Sequence, residues 1–348
     1  MGRTCRTSLW TVMNNSSLNE GAGSTDAKGQ PDLSVELAPS HSLGLLLKNP
    51  VMVASGTFGY DGYGRGIPQD MDFSQLGAVI PKTFTRYPRE GNPEPRWYPE
   101  SFRVAREIGE PVMLNAIGLT NPGIEAGVVE VAPQWGRWDA TMFLSMSGES
   151  VGQFGDMAAM TRGASGFSAI ELNLSCPNVE QGDLFSYNAE GTYKAVDAVK
   201  RHAEVPVLAK LAPNVPDIVP IARAAVEAGA DALTISNTIP AMTIDVDSRH
   251  PVLGNVTGGL SGQGLHPVAV ALVYRAAQAV NVPIIGVGGV FTATDALEFI
   301  LAGATAVQVG SANLADLWAP FNVLDGIRSY LGERGISDIK ELIGAVEI

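Results

Sequence analysis

Short apolar runs recur along the chain, and each is followed by a polar turn and then by a helix-like stretch. The runs are rich in aliphatic and β-branched residues and are too short to be helices, which is typical of strands buried in a parallel sheet. The sequence therefore predicts eight parallel strands, at Val51–Ser55, Ala78–Lys82, Thr141–Ser145, Ala169–Ser175, Pro206–Leu211, Ala232–Asn237, Pro283–Val287 and Thr305–Gly310.

Amphipathic segments separate these runs and carry the signals of helix ends. Asp217–Ala228 has an acid and a proline near its start and a glycine just past its end, and Thr294–Ala302 has Thr292 or Thr294 as a candidate N-cap. Eight alternating strands and helices give either a closed barrel or a doubly wound sheet. The count of eight, and the lack of a GxGxxG fingerprint after the first run, favour a (β/α)₈ TIM barrel.

Two segments do not follow this repeat. The stretch Thr83–Ala140 is too long for a plain connection, so we expect an inserted loop that shapes a site at the C-terminal face, with Val112–Asn115 as part of that loop. Residues 1–32 are rich in Ser, Asn, Gly and Thr and are interpreted as a disordered extension, although translation from Met13 is also compatible with the sequence. The barrel is expected to span residues 33–348.

The composition narrows the classes of partner. With 348 residues, 45% of them hydrophobic, the chain can bury a large core, and its net charge of −13 would repel nucleic acid and anionic lipid. No apolar run reaches the roughly 18 residues of a membrane span. Cys5 and Cys176 are the two cysteines, too few and too far apart for a disulfide framework. We therefore expect a cytoplasmic protein with no metal site and no nucleic-acid or membrane partner.

Polar residues and glycines stand where the predicted strands end, which is the catalytic face of a barrel. Turn chemistry explains many small residues there, but a lysine that ends a buried strand must desolvate its ammonium unless an anion meets it. For Lys210 two interpretations stay open, an ion pair with the inward-facing Glu171 or contact with an anion or cofactor. The strand-end residues are Ser55, Lys82, Ser145, Asn173, Cys176, Lys210, Asn237, Thr238, Gly288, Gly289, Gly310 and Ser311.

The last two strands are each followed by glycines and other small residues, in IIGVGGVFTATDA and AVQVGSANLAD. Backbone N–H groups at such turns can close on a phosphate, and the loops after strands 7 and 8 form the usual phosphate site of this barrel. Either glycine turn alone is explained by chain reversal. Together they indicate a phosphorylated ligand.

The segment ELNLSCPN is the most specific chemical feature. Alternation places Glu171, Asn173 and Ser175 inward, and Cys176 follows at the strand end beside Pro177, which excludes helix. An isolated buried cysteine is usually an inert apolar residue, but this one stands at the catalytic rim among amides. Asparagines in loops such as MLNAIGLTNPG usually serve their own turns. An array of Asn115, Asn173, Asn178 and Asn237 would instead suit a flat, uncharged amide ring.

These residues belong to eight ordered motifs: NPVMVASG, NAIGL, LNLSCPN, AKLAPN, ISNT, GGLSG, GVGG and VGSAN. From about residue 44 to the C-terminus the chain resembles the class 1 dihydroorotate dehydrogenases, and most of all the class 1B catalytic subunits. The resemblance implies a (β/α)₈ barrel that binds FMN at its C-terminal mouth. It also implies the oxidation of dihydroorotate to orotate in pyrimidine synthesis.

Site residues follow from this resemblance position by position. Cys176 would remove the proton from C5 of dihydroorotate, and the hydride from C6 would pass to N5 of the flavin. Val179–Asn188 would be a mobile loop over the substrate. The substrate would be held by Lys82, Asn115, Ala116, Ile117, Gly118, Leu119, Asn173, Asn178, Asn237 and Thr238. The flavin would be held by Ser55, Lys82, Thr83, Ser145, Asn173, Lys210, Ser236, Gly262, Gly288, Gly289, Gly310 and Ser311, the last four on its phosphate.

Two positions depart from the family pattern. Ser145 stands where family members usually carry Asn, and Ser236 replaces a usual aliphatic residue. Both changes are conservative in size, so we expect altered flavin contacts rather than lost binding.

The resemblance also implies partners. Class 1B enzymes are homodimers that pair with an iron–sulfur and FAD subunit, as a heterotetramer passing electrons to NAD⁺, whereas class 1A enzymes reduce fumarate. Membrane-bound class 2 enzymes use a serine base. Three other interpretations are a dihydropyrimidine dehydrogenase-like enzyme acting on uracil or thymine, a catalytically silent scaffold barrel, and a tRNA dihydrouridine synthase. The last needs a basic RNA-binding surface, which the charge of −13 argues against.

Overall fold

Eight parallel strands form the centre of the protein. The computed structural model describes residues 30–63, 66–101, 104, 112–174 and 185–348. Each strand overlaps one of the runs predicted from sequence. The strands are β1 (Val51–Val53), β2 (Ala78–Val79), β3 (Phe143–Ser147), β4 (Ala169–Asn173), β5 (Val207–Leu211), β6 (Ala232–Ile235), β7 (Ile284–Val287) and β8 (Ala306–Val309).

The strands close into a ring. Their order is β2–β1–β8–β7–β6–β5–β4–β3, with every neighbouring pair parallel, and the short strand Phe84–Thr85 pairs with the far edge of β3. A parallel bridge between Val79 and Met142 joins β2 to β3 and completes the circle. The predicted (β/α)₈ barrel is confirmed.

Helices follow the strands and cover the outside of the barrel. Asp217 caps one of them by accepting a hydrogen bond from the Val219 N–H, and Thr292 caps another in a reciprocal capping box with Asp295. The longer helices are α1 (Val151–Met160), α2 (Ala189–Lys200), α3 (Ile218–Glu227), α4 (His266–Ala277), α5 (Ala293–Leu301) and α6 (Ala319–Arg334). The shorter helical turns are Phe73–Gln75, Ile124–Ala126, Gly127–Val131, Ala132–Trp138, Phe185–Tyr187, Gln263–Leu265, Ala312–Ala315 and Ile339–Leu342.

The core has an apolar layer and a polar centre. Ile170 and Leu172 on β4 are fully buried in the apolar layer between strands and helices, whereas Glu171 between them contacts polar side chains of other barrel strands. This alternation is the one expected for a strand with one side toward the barrel interior. Polar side chains can occupy that interior because hydrogen bonds and an ion pair join them.

A four-stranded antiparallel sheet is built from the long connections after β2 and β6. Its order is Ile239–Ala241, Gly258–Gly262, Val112–Asn115 and Trp97–Tyr98. Val112–Asn115 lies in the connection between β2 and β3 as predicted, but it is a strand of this sheet and not irregular loop. Two small antiparallel pairs are also present, Val35–Glu36 with Leu46–Leu47 and Ile244–Asp245 with His250–Pro251.

The compact unit extends from Pro31 to Ile348. Asp32, the last residue of the predicted extension, donates its N–H to the Ser337 carbonyl and accepts a 3.1 Å hydrogen bond from the Lys340 ammonium. Residues 1–29 lie outside the described residues, so the extension stays a prediction. Among the helices of the described chain, none combines the length and apolarity that crossing a membrane requires.

Candidate active site

A cavity of about 280 Å³ lies where the barrel strands end. Most of the residues predicted for the site line it. They are Ser55, Lys82, Thr83, Asn115, Ala116, Ile117, Gly118, Leu119, Asn173, Lys210, Ser236, Asn237, Thr238, Gly262, Gly288, Gly289, Gly310 and Ser311. Ser145 is buried behind Ser55 and Thr83, within hydrogen-bond distance of both. Cys176 and Asn178 lie outside the described residues, as does most of the predicted loop Val179–Asn188.

Lys82 brings an ammonium into the cavity. Its backbone N–H is held by the Gly59 carbonyl, and no described residue forms an ion pair with its side chain. Burial lowers the pKa of Lys82 below its usual value, and the positive charge of Arg96 lowers it further. A buried cation of this kind is stabilised by an anionic ligand.

Lys210 is held loosely inside the barrel. Its Nζ lies 3.6 Å from Glu171 Oε1 and 3.4 Å from Gln308 Oε1, both long contacts. Glu171 is held more tightly, since its Oε2 accepts from Gln308 at 2.7 Å and from Thr234 at 3.1 Å. The ion pair between Lys210 and Glu171, one of the two interpretations of the sequence, is present, and Lys210 also lines the cavity. The two interpretations are therefore compatible.

Amide side chains cluster on one side of the cavity. Asn237 donates to the Asn173 Oδ1 at 3.3 Å and accepts from the Thr238 N–H at 2.8 Å, while Asn115 donates to the Gly259 carbonyl at 3.3 Å. Asn121 does not join them, because its amide is used by Thr85 on the strand Phe84–Thr85 and by the backbone of Leu119 and Gly123. The cavity thus presents amide groups that suit a planar ring with C=O and N–H edges.

Two glycine turns also line the cavity, after β7 and β8. Gly288 and Gly289 have φ of +140° and +68°, and a Cβ at Gly289 would lie 2.8 Å from the His266 Cβ and 2.9 Å from the Gly262 carbonyl oxygen. Within the described part of the chain, no backbone hydrogen bond uses the N–H of Gly289 or Ser311. Free N–H groups at two neighbouring turns form an anion-binding surface.

Comparison with known proteins identifies the family. The model of the dihydroorotate dehydrogenase family matches residues 38–331. The chain belongs to the dihydroorotate dehydrogenase family.

Curated family members are similar over nearly their whole length. A protein of Geotalea uraniireducens is 45% identical over 91% of this chain and 99% of its own, and one of Desulforudis audaxviator is 48% identical over 87% of this chain and 95% of its own. Both are named dihydroorotate dehydrogenase B (NAD(+)), catalytic subunit. The resemblance to class 1B catalytic subunits seen in the motifs is confirmed.

One of the two departures from the family pattern belongs to a triangle of hydroxyl groups. Ser145 lies 2.9 Å from Thr83 Oγ1 and 3.2 Å from Ser55 Oγ, and Ser55 lies 3.1 Å from Thr83. Ser55 and Thr83 line the cavity while Ser145 is buried behind them. The short Ser145 side chain is therefore satisfied by its two neighbours. Ser236, the other departure, makes 3.3 Å contacts to the carbonyls of Asn237 and Val287.

Sequence reasoning missed Asn92. Its N–H donates to the Ile117 carbonyl at 3.0 Å, its Nδ2 donates to the Ala116 carbonyl at 3.1 Å, and it lines the cavity. Asn92 thus holds the NAIGL loop of this family member in place. In the sequence GNPEP it resembles an ordinary turn residue. Its role is seen only from its hydrogen bonds to residues that are distant in the sequence.

Proposed function

We propose that this protein oxidises dihydroorotate to orotate at the mouth of the barrel, in pyrimidine biosynthesis, with FMN as its cofactor. The observation that carries the proposal is the cavity itself, which is lined by an amide cluster, two glycine turns and Lys82, a lysine with no ion-pair partner among the described residues. The class 1B relatives are named for this reaction, and their alignments with this chain cover 99% and 95% of their own length.

The residues of the cavity fit FMN. The N–H groups of Gly289 and Ser311, which no described backbone group accepts, would donate to its phosphate. Lys210 would lie beside the flavin, where its long contacts leave capacity for a further acceptor. When bound, FMN supplies the acceptor for the hydride that leaves C6 of the substrate. Lys210 would stabilise negative charge on the ring system, which is an electrostatic contribution to the rate. Ser55, Thr83, Ser145, Ser236, Gly262, Gly288 and Gly310 complete the proposed flavin site.

The substrate side of the cavity is assigned from the same geometry. Lys82 would pair with the carboxylate of dihydroorotate, which compensates for the burial of its ammonium. Asn115, Asn173 and Asn237 would bind the amide edges of the ring. Thr238, Asn178 and the loop Ala116–Leu119 would complete this side.

Cys176 is proposed as the base. The proton on C5 of the substrate would pass to its Sγ, which acts as a thiolate. This assignment rests on the motif LNLSCPN and on family membership, because Cys176 lies outside the described residues. In the sequence Cys176 comes three residues after Asn173, which ends β4 and lines the cavity.

A partner subunit is proposed to take the electrons onward. The relatives are named as catalytic subunits of an NAD(+)-linked enzyme. This chain has two cysteines, fewer than the four thiolates that usually hold an iron–sulfur cluster. We therefore propose a homodimer that associates with an iron–sulfur and FAD subunit. Co-purification of such a subunit with the native protein, and NAD⁺ reduction by the complex alone, would support this, whereas fumarate reduction by the isolated chain would contradict it.

The substrate is tested by anaerobic reduction of the bound flavin. Dihydroorotate should bleach the flavin absorbance and yield orotate, and dihydrouracil, which lacks the carboxylate, should not. Bleaching by dihydrouracil at an equal rate would point to an enzyme of uncarboxylated pyrimidines. A purified protein that binds no flavin would overturn the proposal.

A further inference from the structure

His266 lies directly behind one of the two glycine turns. It is the first residue of α4, it is 8% exposed, and it does not itself line the cavity. Its Nδ1 lies 3.1 Å from the Gly288 carbonyl oxygen and its Nε2 lies 3.0 Å from Glu298 Oε2 on α5. The imidazole therefore connects the turn after β7 to the helix that follows this turn.

The contact with Gly288 fixes the orientation of one peptide group. Because a trans peptide is planar, the N–H of Gly289 points away from the carbonyl of Gly288. The carbonyl faces His266, and both glycines line the cavity whereas His266 does not. The Gly289 N–H, which no described backbone group accepts, is thereby directed to the cavity side.

The position of the ring is over-determined. It forms a T-shaped pair with Phe299, with a centroid distance of 5.0 Å and an interplanar angle of 88°, and Glu298 contacts the Nε2. A carbonyl oxygen and a carboxylate oxygen can each accept a hydrogen bond from an imidazole N–H. A donor polarised by the carboxylate in turn strengthens the hydrogen bonds of the peptide that it contacts.

We propose that His266 is a positioning residue for the phosphate of the flavin, held by Glu298 and fixing the Gly288–Gly289 peptide so that its N–H faces the ligand. This inference rests on the proposed function, since it assumes that the cavity takes FMN. The ligand group it concerns is a phosphate monoester. His266 contacts neither the substrate nor the reacting atoms in this assignment, so its effect is on cofactor selection.

The test compares FMN with riboflavin, which has the same ring and no phosphate. Binding to the apoprotein is followed by flavin fluorescence. In His266→Asn the side-chain amide nitrogen can occupy the place of Nδ1, whereas in His266→Gln it occupies the place of Nε2 and the bond to Gly288 is lost. We expect H266Q to lose about tenfold in FMN affinity and less than twofold in riboflavin affinity. We expect H266N to retain FMN affinity within about threefold of the wild type.

The exposed His250→Ala serves as the matched control and should change neither affinity. Equal losses for FMN and riboflavin in H266Q, or equal behaviour of H266Q and H266N, would overturn the inference in favour of a general packing role. If circular dichroism shows that H266Q does not fold, Glu298→Ala tests the inference instead. It should lower the preference for FMN over riboflavin by about threefold, and an unchanged preference would be contradictory. A wild-type apoprotein that binds no FMN would instead overturn the proposed function itself.

Discussion

The two lysines at the barrel mouth differ in what surrounds their charge. Lys210 lies within 3.6 Å of Glu171, so the barrel interior supplies part of its counter-charge. Lys82 has no such partner among the described residues, and burial together with Arg96 lowers its pKa. Lys82 is therefore the cation with most to gain from an anionic ligand, and Lys210 has a structural role as well.

At the residue scale, replacing Lys82 should weaken the binding of an anionic product. We expect Lys82→Met to reduce orotate affinity by about tenfold to a hundredfold, because a charge-assisted hydrogen bond is lost. Orotate titrations monitored by flavin absorbance measure this, with the exposed Lys194→Met as control.

We also expect orotate affinity to depend on pH because of Lys82. Orotate would bind the protonated ammonium, so its affinity should be highest below the lowered pKa of Lys82 and should fall as the pH rises through it. The fall should disappear in Lys82→Met. An identical pH profile in the variant would contradict the assignment of Lys82.

At the scale of single elements, the end of β7 shows how the turn and its helix are built. Asp295 on α5 accepts hydrogen bonds from the N–H groups of Phe291 and Thr292 at 2.9 and 2.8 Å, and the Thr292 hydroxyl accepts from the Asp295 N–H at 3.3 Å. This capping box satisfies N–H groups that would otherwise have no partner at the start of the helix. It also fixes the helix that presents Glu298 to His266.

The capping box gives a matched pair of variants. Thr292→Ala should lower the free energy of unfolding by about 1 kcal/mol, because it removes the cap side chain. Thr294→Ala, two residues later and exposed, should change it by less than about 0.5 kcal/mol. Urea denaturation measures both, and equal effects would contradict the assignment of Thr292 as the N-cap.

Elements with a periodic pattern of apolar residues could be predicted from the sequence, but the four-stranded antiparallel sheet could not. The barrel strands are apolar runs of sufficient length, and the N-cap of α5 was one of two candidates in the sequence. The strand Val112–Asn115 pairs with Gly258–Gly262, which is glycine-rich and lies far along the chain. Such a strand has no β-branched pattern, and its pairing depends on the barrel that brings both connections together.

The candidate site shows the same division. Residues at strand ends could be placed on one face because topology alone brings them together. Asn92 and His266 could not, since Asn92 acts through hydrogen bonds to the Ile117 and Ala116 carbonyls and His266 through its contact with the Gly288 carbonyl. Contacts between distant loops leave no periodic trace in the sequence.

At the scale of the whole molecule, the two ends of the described chain meet. Asp32 pairs with Lys340, and Asp32 and Asp338 form a parallel bridge. Hydrogen bonds from the backbone and side chain of Ser34, and then Lys340, lower the pKa of Asp32 from 3.8 to about 2. Such a carboxylate stabilises the fold above its unfolded pKa, and this contribution is lost as the pH falls toward about 2.

Asp32→Asn should therefore destabilise the protein at neutral pH, and the difference from the wild type should shrink as the pH falls below about 4. Urea midpoints measured from pH 7 downward test this. Asp70→Asn, at another exposed carboxylate, is the control. A difference that stays constant with pH would show that the Asp32 charge is not responsible.

The whole molecule brings amide, lysine and glycine groups to one mouth, and the central claim is that Cys176 deprotonates dihydroorotate there. The most direct test is the single-turnover rate of flavin reduction by dihydroorotate, measured anaerobically against pH for the wild type and Cys176→Ser. We expect the wild-type rate to rise with pH through one thiol ionisation and then level off, because the thiolate is the active form. We expect the variant to retain FMN and lose at least about a hundredfold in rate. A variant that reduces its flavin at the wild-type rate would contradict the account.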